Sequence, residues 1–586
     1  MKLRHAAVLL VLGLSLCLST AYARDNRKVE VVIEGLQAEL LQNVEALLTI
    51  RGQPPEDLPL DNWVRRHHAR ATKQIQQALQ PYGYYAPQID SALTMQEGGW
   101  RVRYRIDAGK PVLLRQLDVR VSGEGQLSPL FSAALDKMPL KSGQTLRHSQ
   151  YEETKALLQQ VALRYGYLDA RFSTSELRVN APALWADVVL HYDTGPRYRL
   201  GQVSIEQDIL EPAFIQRYVP FAPGEPYDRL QLVELENGLI DSNYFSDVEV
   251  ELLKEQAEDH VLPIGVTTTP RKPQLYSAGL GYGTDTGPRL NLGFDWRRVN
   301  AKGHRAGANL TLSGVRESLS AQYQIPIADV RKDTLSFGAN VLSEDAGDGI
   351  NEERELGITH TTSWRGWRRS LYLTLGQNIS TFEADRQRFD LVIPGITLTR
   401  TRSDNPIYPR NSIGLSLDVH GAHQNWFSDA TFLQGRLLTR YIRPLLDDKT
   451  RLILRGELGV TGLDEATELP LSQRFFAGGD QSVRGYKYQS LGDTNELGEV
   501  IGGQYLLVGS IEVDRLVWND WGVAAFIDAG NASNDSRAEL LKGAGLGLRW
   551  RSPVGLIRLD LATPLDEPPD GDRSNYRIHF GIGVEL

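Results

Sequence analysis

The residues whose types and spacing indicate a specific interaction lie late in the 586-residue chain. The long segment 463–503 carries the run Val483-Arg484-Gly485-Tyr486, together with further glycines that allow the chain to fold back on itself. A guanidinium group offers a rigid fork of donors that a carboxylate matches. The chemistry we expect of Arg484 is therefore an ion pair with an acidic side chain, and not catalysis.

Acidic side chains are available on two segments that follow this run. Over residues 523–530, strict alternation places Phe526, Asp528 and Gly530 on one face, and Glu512 takes the same face of the segment just before, residues 505–515. A charge held in a partly dry interior needs a partner of opposite charge. Asp528 and Glu512 are both candidates for pairing with Arg484, and the spacing alone leaves the choice open.

Motifs that mark common enzymes are absent from the sequence. It contains neither a Gly-x-Ser-x-Gly nucleophile elbow nor a His-Glu-x-x-His zinc motif. Its one cysteine, Cys17, lies in a segment that we expect to be removed, so no thiol metal site is predicted. A net charge of -9 argues against a nucleic-acid partner. We therefore expect no enzymatic activity, no cofactor and no metal.

The first 23 residues have the pattern of a secretory signal peptide. Basic Lys2 and Arg4 precede an apolar run over residues 6–18, and a small-x-small cleavage site follows at residues 21–23. A membrane anchor is the alternative, but the run is short for one. The mean hydropathy of -0.32 and the lack of a later run of 18 apolar residues exclude a helical membrane protein.

Residues 24–272 indicate three similar α/β units, with boundaries at 24–110, 111–196 and 197–272. Each unit has the pattern strand, helix, helix, strand, strand, and the repeat length is about 80 residues. A related run closes the second helix of each unit. These runs are Tyr82-Gly83-Tyr84-Tyr85, Tyr165-Gly166-Tyr167-Leu168 and Ser242-Asn243-Tyr244-Phe245. The Gly or Asn in each run suits a left-handed helix stop.

From residue 273 to residue 586 the helical periodicity is lost, and alternating segments separated by turn residues take over. About sixteen such segments, among them residues 305–313 and 371–375, have the length that spans an outer membrane, and an even number is expected of this class. Tryptophans lie near segment ends, where aromatic belts belong: Trp296, Trp426, Trp518, Trp521 and Trp550. The predicted fold class is three α/β repeats followed by a 16-stranded antiparallel transmembrane β-barrel.

Two resemblances follow from these patterns. The repeats resemble polypeptide-transport-associated (POTRA) domains, which bind extended chains at a sheet edge. The Val483-Arg484-Gly485-Tyr486 run resembles the sixth-loop motif of the BamA-like outer-membrane assembly superfamily, and residues 526–530 resemble its Phe-x-Asp-x-Gly strand motif. This resemblance implies that Arg484 anchors a loop in the barrel lumen, with Asp528 as its partner on the wall and Glu512 as the rival.

Three repeats and sixteen strands are most similar to the TamA subunits of the translocation and assembly module. That resemblance implies insertion of autotransporters and other outer-membrane proteins, and no enzyme. It implies three kinds of partner: a TamB-like protein anchored in the inner membrane, unfolded outer-membrane clients, and outer-membrane lipid. The barrel would lie in the outer membrane and the POTRA repeats in the periplasm. A two-partner-type protein secretion pore is the alternative function.

The seam between the first and last strands is a candidate site for such an activity. An unpaired strand is costly in lipid, and glycine weakens strand pairing. The first strand carries Gly279, Gly281 and Gly283, and the last carries Gly581 and Gly583. We hypothesise that this seam opens laterally; the alternative is that the glycines only fit close packing on the lumen face.

Overall fold

The computed structural model describes residues 28–53, 59–97, 99–382, 385–405, 408–463, 468–552, 555–567 and 575–583. The predicted signal peptide, residues 1–23, lies outside these ranges, as does the end of the last predicted strand, residues 584–586. The chain forms two compact units. The first contains the chain up to Gln202 together with Phe221–Gln231 and Leu253–Pro263, and the second contains Val203–Pro220, Leu232–Leu252 and the chain from Ile264, which includes the barrel.

Each of the three α/β repeats follows the predicted order of strand, helix, helix, strand, strand. The first contains β1 (Lys28–Glu34), α1 (Ala38–Leu47), α2 (Leu60–Leu79), β2 (Gln88–Gln96) and β3 (Gly99–Asp107). The second contains β4 (Leu113–Ser122), α3 (Pro129–Asp136), α4 (His148–Tyr165), β5 (Arg171–Asn180) and β6 (Trp185–Asp193). The third contains β7 (Arg199–Glu206), α5 (Pro212–Ile215), α6 (Arg229–Asp241), β8 (Phe245–Leu252) and β9 (Val261–Pro270).

The last strand of each repeat lies in the middle of its three-stranded sheet. The strand orders are β1-β3-β2, β4-β6-β5 and β7-β9-β8. In the first two sheets the middle strand is parallel to the first strand and antiparallel to the second. The first and second strands of each repeat are therefore sheet edges.

Local sequence explains how these repeats form. The chain leaves the second helix through a left-handed residue, as predicted, at Gly83 (φ 91°), Gly166 (φ 88°) and Asn243 (φ 60°). Alternation along β3 buries Val102 and Tyr104 completely and leaves the arginines between and beside them exposed. One face of the sheet therefore packs on helices α1 and α2, and the other face is polar.

The barrel is a 16-stranded antiparallel sheet in which every strand pairs with its sequence neighbour, which confirms the predicted fold class. Its strands are β10 (Gln274–Gly283), β11 (Gly287–Trp296), β12 (Arg305–Ser313), β13 (Arg316–Pro326), β14 (Thr334–Ala346), β15 (Gly349–Trp364), β16 (Trp367–Phe382), β17 (Asp385–Ser403), β18 (Ser412–Ala422), β19 (Phe432–Leu445), β20 (Asp447–Leu463), β21 (Tyr505–Trp518), β22 (Trp521–Ser533), β23 (Leu541–Ser552), β24 (Gly555–Pro564) and β25 (Arg577–Gly583). None of the helices that the structure describes is both long and apolar enough to cross a membrane.

Antiparallel order fixes which turns share each end of the barrel. We call the end at which β10 begins the proximal rim; it also carries the β15–β16 and β21–β22 turns. The opposite end, the distal rim, carries the connection between β20 and β21. That connection is the sixth distal loop along the chain, and residues 468–504 of it are described.

The first and last strands meet without a ladder. In the described part of the barrel, β10 and β25 stand at the two ends of the strand order and no register of backbone pairs joins them. Among the described residues, the contacts across this seam include the Phe580 amide, which donates to the Thr284 hydroxyl at 3.2 Å, and the rings of Tyr282 and Phe580, whose centroids are 6.2 Å apart. The seam is thus joined by side-chain contacts, whereas the other neighbouring strands are held by ladders of backbone pairs.

Candidate functional site

The sixth loop folds into the barrel and has an apolar core of its own. Short antiparallel bridges join Phe475 to Gly503 and Ala477 to Leu491. Val483 and Tyr486 are buried against Leu506 and Val508 of β21 and other residues of this core. The Tyr486 hydroxyl donates to the carbonyl oxygens of Lys542 at 3.0 Å and Asp566 at 3.2 Å. These contacts hold the loop tip against the strands that follow it in sequence.

Arg484 lies at the loop tip and contacts both of its predicted partners. Its Nε and one terminal nitrogen donate to the two carboxylate oxygens of Asp528 at 2.7 and 2.9 Å. Its other terminal nitrogen donates to Glu512 at 2.7 Å and to Asp560 at 3.2 Å. The side chain of Arg484 is 2% exposed, and its own backbone amide adds a 3.1 Å bond to Asp528. The two carboxylates that sequence could not separate therefore share one guanidinium.

A second arginine closes this network. Arg549 of β23 donates to Glu512 at 2.7 Å and also pairs with Asp560. Arg455 of β20 lies 3.9 Å from Asp528. Three arginines (Arg455, Arg484 and Arg549) thus face three carboxylates (Glu512, Asp528 and Asp560). A buried cluster needs this balance, because a single buried charge without a partner is strongly destabilising.

The remaining predicted wall residues shape the space around Arg484. The ring of Phe526 lies under the guanidinium, with Cζ of Arg484 3.3 Å from the ring centroid, an attractive cation–π arrangement. A Cβ on Gly530 would lie 2.8 Å from the Leu507 carbonyl oxygen and from the Val508 side chain of β21, and 3.0 Å from Val483, so a larger residue there would disturb both the strand pairing and the loop. Gly485 has φ +103°, and a Cβ on it would lie 2.9 Å from the backbone of β24. Only glycine suits that combination of backbone conformation and close approach.

A histidine that sequence reasoning missed joins the loop tip to the seam. The Gly485 amide donates to Nε2 of His579 on β25 at 3.2 Å. Nδ1 of the same imidazole lies 3.6 Å from Asp285, in the turn between β10 and β11. Asp285 also accepts a 2.7 Å bond from the Asp480 amide of the loop. The loop, the last strand and the first hairpin therefore meet at His579.

The base of the loop is fixed on other strands. The Leu471 amide donates to the Ser380 hydroxyl of β16 at 2.9 Å. The carbonyl oxygen of Gln473 accepts a 2.7 Å bond from Gln434 of β19, and its side chain contacts His420 of β18 at 2.8 Å. In a ring of sixteen strands, β16 lies opposite β24, which carries Asp560. The sixth loop is therefore a strap that crosses the lumen and is bonded at both ends.

Three of the seam glycines, Gly279, Gly281 and Gly581, do not lie in a tight space. A Cβ on Gly279 or Gly281 would have its nearest neighbour at 3.9 Å, and on Gly581 at 3.5 Å, which are ordinary contact distances. Gly283 is tighter, with the Thr286 hydroxyl at 3.0 Å. Gly583 is the last described residue of β25 and pairs with Leu556. Close packing thus accounts for Gly283, but not for Gly279, Gly281 or Gly581.

Two family models match the chain. The Omp85 superfamily domain matches residues 274–585, and the model described as POTRA domain TamA domain 1 matches residues 30–108. The first match covers the barrel, its seam strands and the loop that carries Arg484.

Curated relatives of the chain are outer membrane protein assembly factors named BamA. The protein of Nitratidesulfovibrio vulgaris is 26% identical over 400 residues, which are 63% of this chain and 49% of that protein. The protein of Neisseria meningitidis is 22% identical over 548 residues, 79% of this chain and 66% of that protein. The chain therefore spans between half and two thirds of the length of these relatives.

Among solved structures, the fold is similar to that of BamA from Haemophilus ducreyi lacking POTRA domains 1–3. The TM-score is 0.55 at 15% sequence identity, and the alignment covers 95% of this chain and 99% of that one. At this level of identity the likeness concerns the fold.

Proposed function

The chain belongs to the Omp85 superfamily, and we propose that it is the outer-membrane component of a translocation and assembly module. In this role it inserts autotransporters and other outer-membrane proteins together with a TamB-like partner. We assign residues 24–110, 111–196 and 197–272 to three POTRA domains in the periplasm, and residues 273–586 to a barrel in the outer membrane. We assign no enzymatic activity.

The contrast between a locked lumen and a weak seam carries this proposal. Arg484 fixes the strap to β21, β22 and β24 through charge-assisted hydrogen bonds. The strands β10 and β25, by contrast, share no backbone ladder among the residues that the structure describes. Unpaired backbone groups at a strand edge accept another strand. An edge exposed by separation of β10 from β25 would offer such groups to a client strand at the membrane, where leaving them unpaired is costly.

The strap favours assembly over the alternative of a secretion pore. A pore for a dedicated partner protein requires an open lumen, but here the loop crosses the lumen and is bonded to β16 at one end and β24 at the other. Release of such a loop would require the rupture of a balanced buried charge cluster. The lateral route through the seam leaves this cluster intact and breaks contacts such as the Phe580–Thr284 hydrogen bond.

The α/β repeats support the assignment of a partner. The match of residues 30–108 to the TamA type of first POTRA domain favours this branch of the superfamily. In the first repeat, β1 and β2 are sheet edges, and extended segments bind to such edges by adding a strand. We propose that unfolded clients and the TamB-like partner bind by adding a strand to these sheet edges.

A disulfide staple across the seam tests the proposal. The pair Tyr282→Cys and Phe580→Cys replaces rings that contact each other across β10 and β25. The matched control is Leu546→Cys with Leu561→Cys, because these residues are direct cross-strand partners in an intact ladder. The only native cysteine is Cys17.

We expect the oxidised seam staple to reduce autotransporter assembly in cells at least about tenfold, and a reductant to restore it. The oxidised control staple leaves assembly unchanged. Undiminished assembly with the seam fully stapled would overturn the lateral mechanism. Copurification of a TamB-like protein with the wild-type chain tests the partner independently, and its absence from crosslinked membranes would contradict the assignment to a translocation and assembly module.

A further inference from the structure

A hairpin at the proximal rim concentrates arginine and tryptophan. It joins β15 to β16 through the run Trp364-Arg365-Gly366-Trp367, and Arg368 and Arg369 follow directly. The adjacent strand β17 carries Arg400 and Arg402 near the same rim. Neither tryptophan of this hairpin was singled out by the sequence patterns.

Strand register places most of these side chains on the outer face of the barrel. Arg369 has the same parity as Leu371, Leu373 and Leu375, which are between 42% and 51% exposed and form part of the apolar outer surface. Arg369 pairs with Leu398, so Arg400 and Arg402 follow on the outward face of β17. Trp364 pairs with Trp367 across the turn. We call the surface formed by Arg365, Arg369, Arg400 and Arg402 with the two tryptophans the cationic face. It continues the apolar band directly to the rim.

In the part of the chain that the structure describes, Arg365, Arg369, Arg400 and Arg402 form no ion pair with an acidic side chain. Two of these arginines contact tryptophan rings. Cζ of Arg400 lies 5.5 Å from the centroid of Trp367, and Cζ of Arg365 lies 5.2 Å from that of Trp364. Positive charge is thus exposed without internal compensation.

The turn of this hairpin has Arg365 at its first central position. Both central residues are left-handed, with φ +50° at Arg365 and +80° at Gly366, as in a two-residue hairpin turn. Asn, Asp or Gly is preferred at the first position, and a long side chain is disfavoured there. Arginine at this position adds a positive charge at the turn itself, beside the Trp364 ring.

We propose that this cationic face is a binding site for the phosphate headgroups of anionic phospholipids at the membrane surface. The inference rests on the proposed function, which places the proximal rim at the periplasmic leaflet. Arginine donors match phosphate oxygens, and tryptophan rings settle at the headgroup level. An acidic protein would not require the site to border the apolar band, whereas a lipid, whose chains lie against Leu371 and Leu373, does.

A second hairpin of the same design provides an internal comparison. The turn between β21 and β22 is Trp518-Asn519-Asp520-Trp521, also at the proximal rim. There the neighbouring Arg551 pairs with Asp520 at 3.0 Å, so its charge is compensated. The two hairpins share the tryptophan pair and differ in uncompensated charge, and only the β15–β16 hairpin fits an anionic ligand.

Lipid retention by the full-length protein tests this site. The protein is reconstituted in nanodiscs of phosphatidylethanolamine with a minor fraction of phosphatidylglycerol, and retained lipids are identified by native mass spectrometry. The test variant is Arg369→Gln/Arg400→Gln/Arg402→Gln. The control, Arg386→Gln/Arg388→Gln/Arg551→Gln, changes the net charge equally but removes arginines that are paired with acids. The triple Arg→Lys variant at the test positions keeps the charge.

We expect the wild type, the control and the lysine variant to retain phosphatidylglycerol preferentially. The glutamine variant should lose this preference by at least about fivefold, the effect of one basic residue near an anionic surface. Equal retention by the wild type and the glutamine variant would overturn the proposal and favour an acidic protein as the ligand. An equal loss in the control would overturn it also, because the effect would then follow net charge alone. The measurement needs no client, so its failure is distinct from failure of the assembly function.

Discussion

The backbone amide of Gly485 donates to Nε2 of His579 at 3.2 Å, so the tip of the sixth loop is bonded directly to the last strand of the barrel. His579 is 3% exposed, and its other nitrogen faces Asp285 of the first hairpin. One imidazole thus contacts the loop and both sides of the seam. The position of the strap and the closure of the seam are therefore physically coupled.

Substitution of His579 should loosen the seam without removal of a barrel strand. His579→Leu leaves the buried Gly485 amide without its acceptor, which costs about 1–3 kcal/mol. His579→Gln provides a carbonyl acceptor for the amide and a donor toward Asp285. We expect disulfide formation between Tyr282→Cys and Phe580→Cys to be several-fold slower in the leucine variant and nearly normal in the glutamine variant. Equal rates in all three backgrounds would show that His579 does not couple loop and seam.

Removal of the Arg484 side chain should release the strap. Arg484→Ala leaves Asp528, Glu512 and Asp560 with one less guanidinium, and breaking a buried charge pair costs about 3–5 kcal/mol. We expect export to continue, but heat resistance of the folded barrel on electrophoresis and client assembly to fall. Arg484→Lys should be intermediate, because ammonium cannot donate in a bidentate fork.

Arg436→Ala is the matched control for Arg484. Its guanidinium also pairs with a carboxylate, Glu457, but the side chain is 48% exposed, and such pairs contribute about 0–1 kcal/mol. Wild-type heat resistance in Arg484→Ala, or an equal loss in Arg436→Ala, would count against Arg484 as the anchor.

Alanine substitutions at two glycines of the sixth loop distinguish the effect of backbone strain from that of close packing. Gly485 (φ +103°) and Gly498 (φ +85°) both adopt left-handed conformations, so alanine strains the backbone at either position. A Cβ at Gly485 would also lie 2.9 Å from Pro564 and Thr563, whereas at Gly498 it would meet nothing within 4 Å. We expect Gly485→Ala to lower the melting temperature and impair assembly clearly more than Gly498→Ala. Similar melting temperatures would show that the loop tip accommodates a methyl group.

Alternation predicted the barrel strands wherever one face remains apolar. The segment 305–313 is an example, since it coincides with β12. The strand predicted over residues 371–375 in fact extends from Trp367 to Phe382. Its outward positions after Leu375 are Gln377, Ile379 and Thr381, so the apolar run is interrupted at Gln377 while the hydrogen-bonded ladder continues. Alternation in the sequence indicates only the part of a strand that has one face in an apolar environment. The hydrogen-bonded pairing of the backbone extends beyond that part.

The contacts of the candidate site could be predicted from the sequence less completely than the fold. The inward position of Asp528 and Glu512 could be predicted from parity, but parity cannot show that a single guanidinium reaches both. His579 and Asp285 escaped prediction because they are separated by nearly the whole barrel in sequence. They become neighbours only when the sheet closes, and no local pattern encodes that contact.

The junction between the first two repeats should weaken on mild acidification. His148 and the Tyr85 hydroxyl lie 2.6 Å apart, and burial lowers the pKa of His148 below its ordinary value of 6.5. The closed junction thus favours neutral imidazole, which accepts the tyrosine hydrogen. As the pH falls below about 6.5, His148 of a separated junction binds a proton, whereas His148 of the closed junction stays neutral until its lower pKa is reached. The stability of the closed junction therefore decreases as the pH falls from about 6.5 to that lower pKa. Amide exchange around residues 83–85 should accelerate over this range in the wild type, and a step of equal size in His148→Gln would assign it to another group.

The base of the strap should contribute separately to closure of the lumen. The Gln434 amide is buried and donates to the Gln473 carbonyl at 2.7 Å and to the Thr461 hydroxyl at 2.8 Å. Gln434→Leu removes both donors, and each lost hydrogen bond, to the half-buried Gln473 carbonyl and to the buried Thr461 hydroxyl, costs about 1 kcal/mol. In planar bilayers we expect rare, small openings for the wild type, more frequent ones for Gln434→Leu, and the most frequent for Arg484→Ala, whose charge cluster is the stronger of the two attachments. Arg436→Gln, which alters the neighbouring inward position of β19, should behave as the wild type. A silent Gln434→Leu beside a conducting Arg484→Ala would show that the charged tip alone holds the strap.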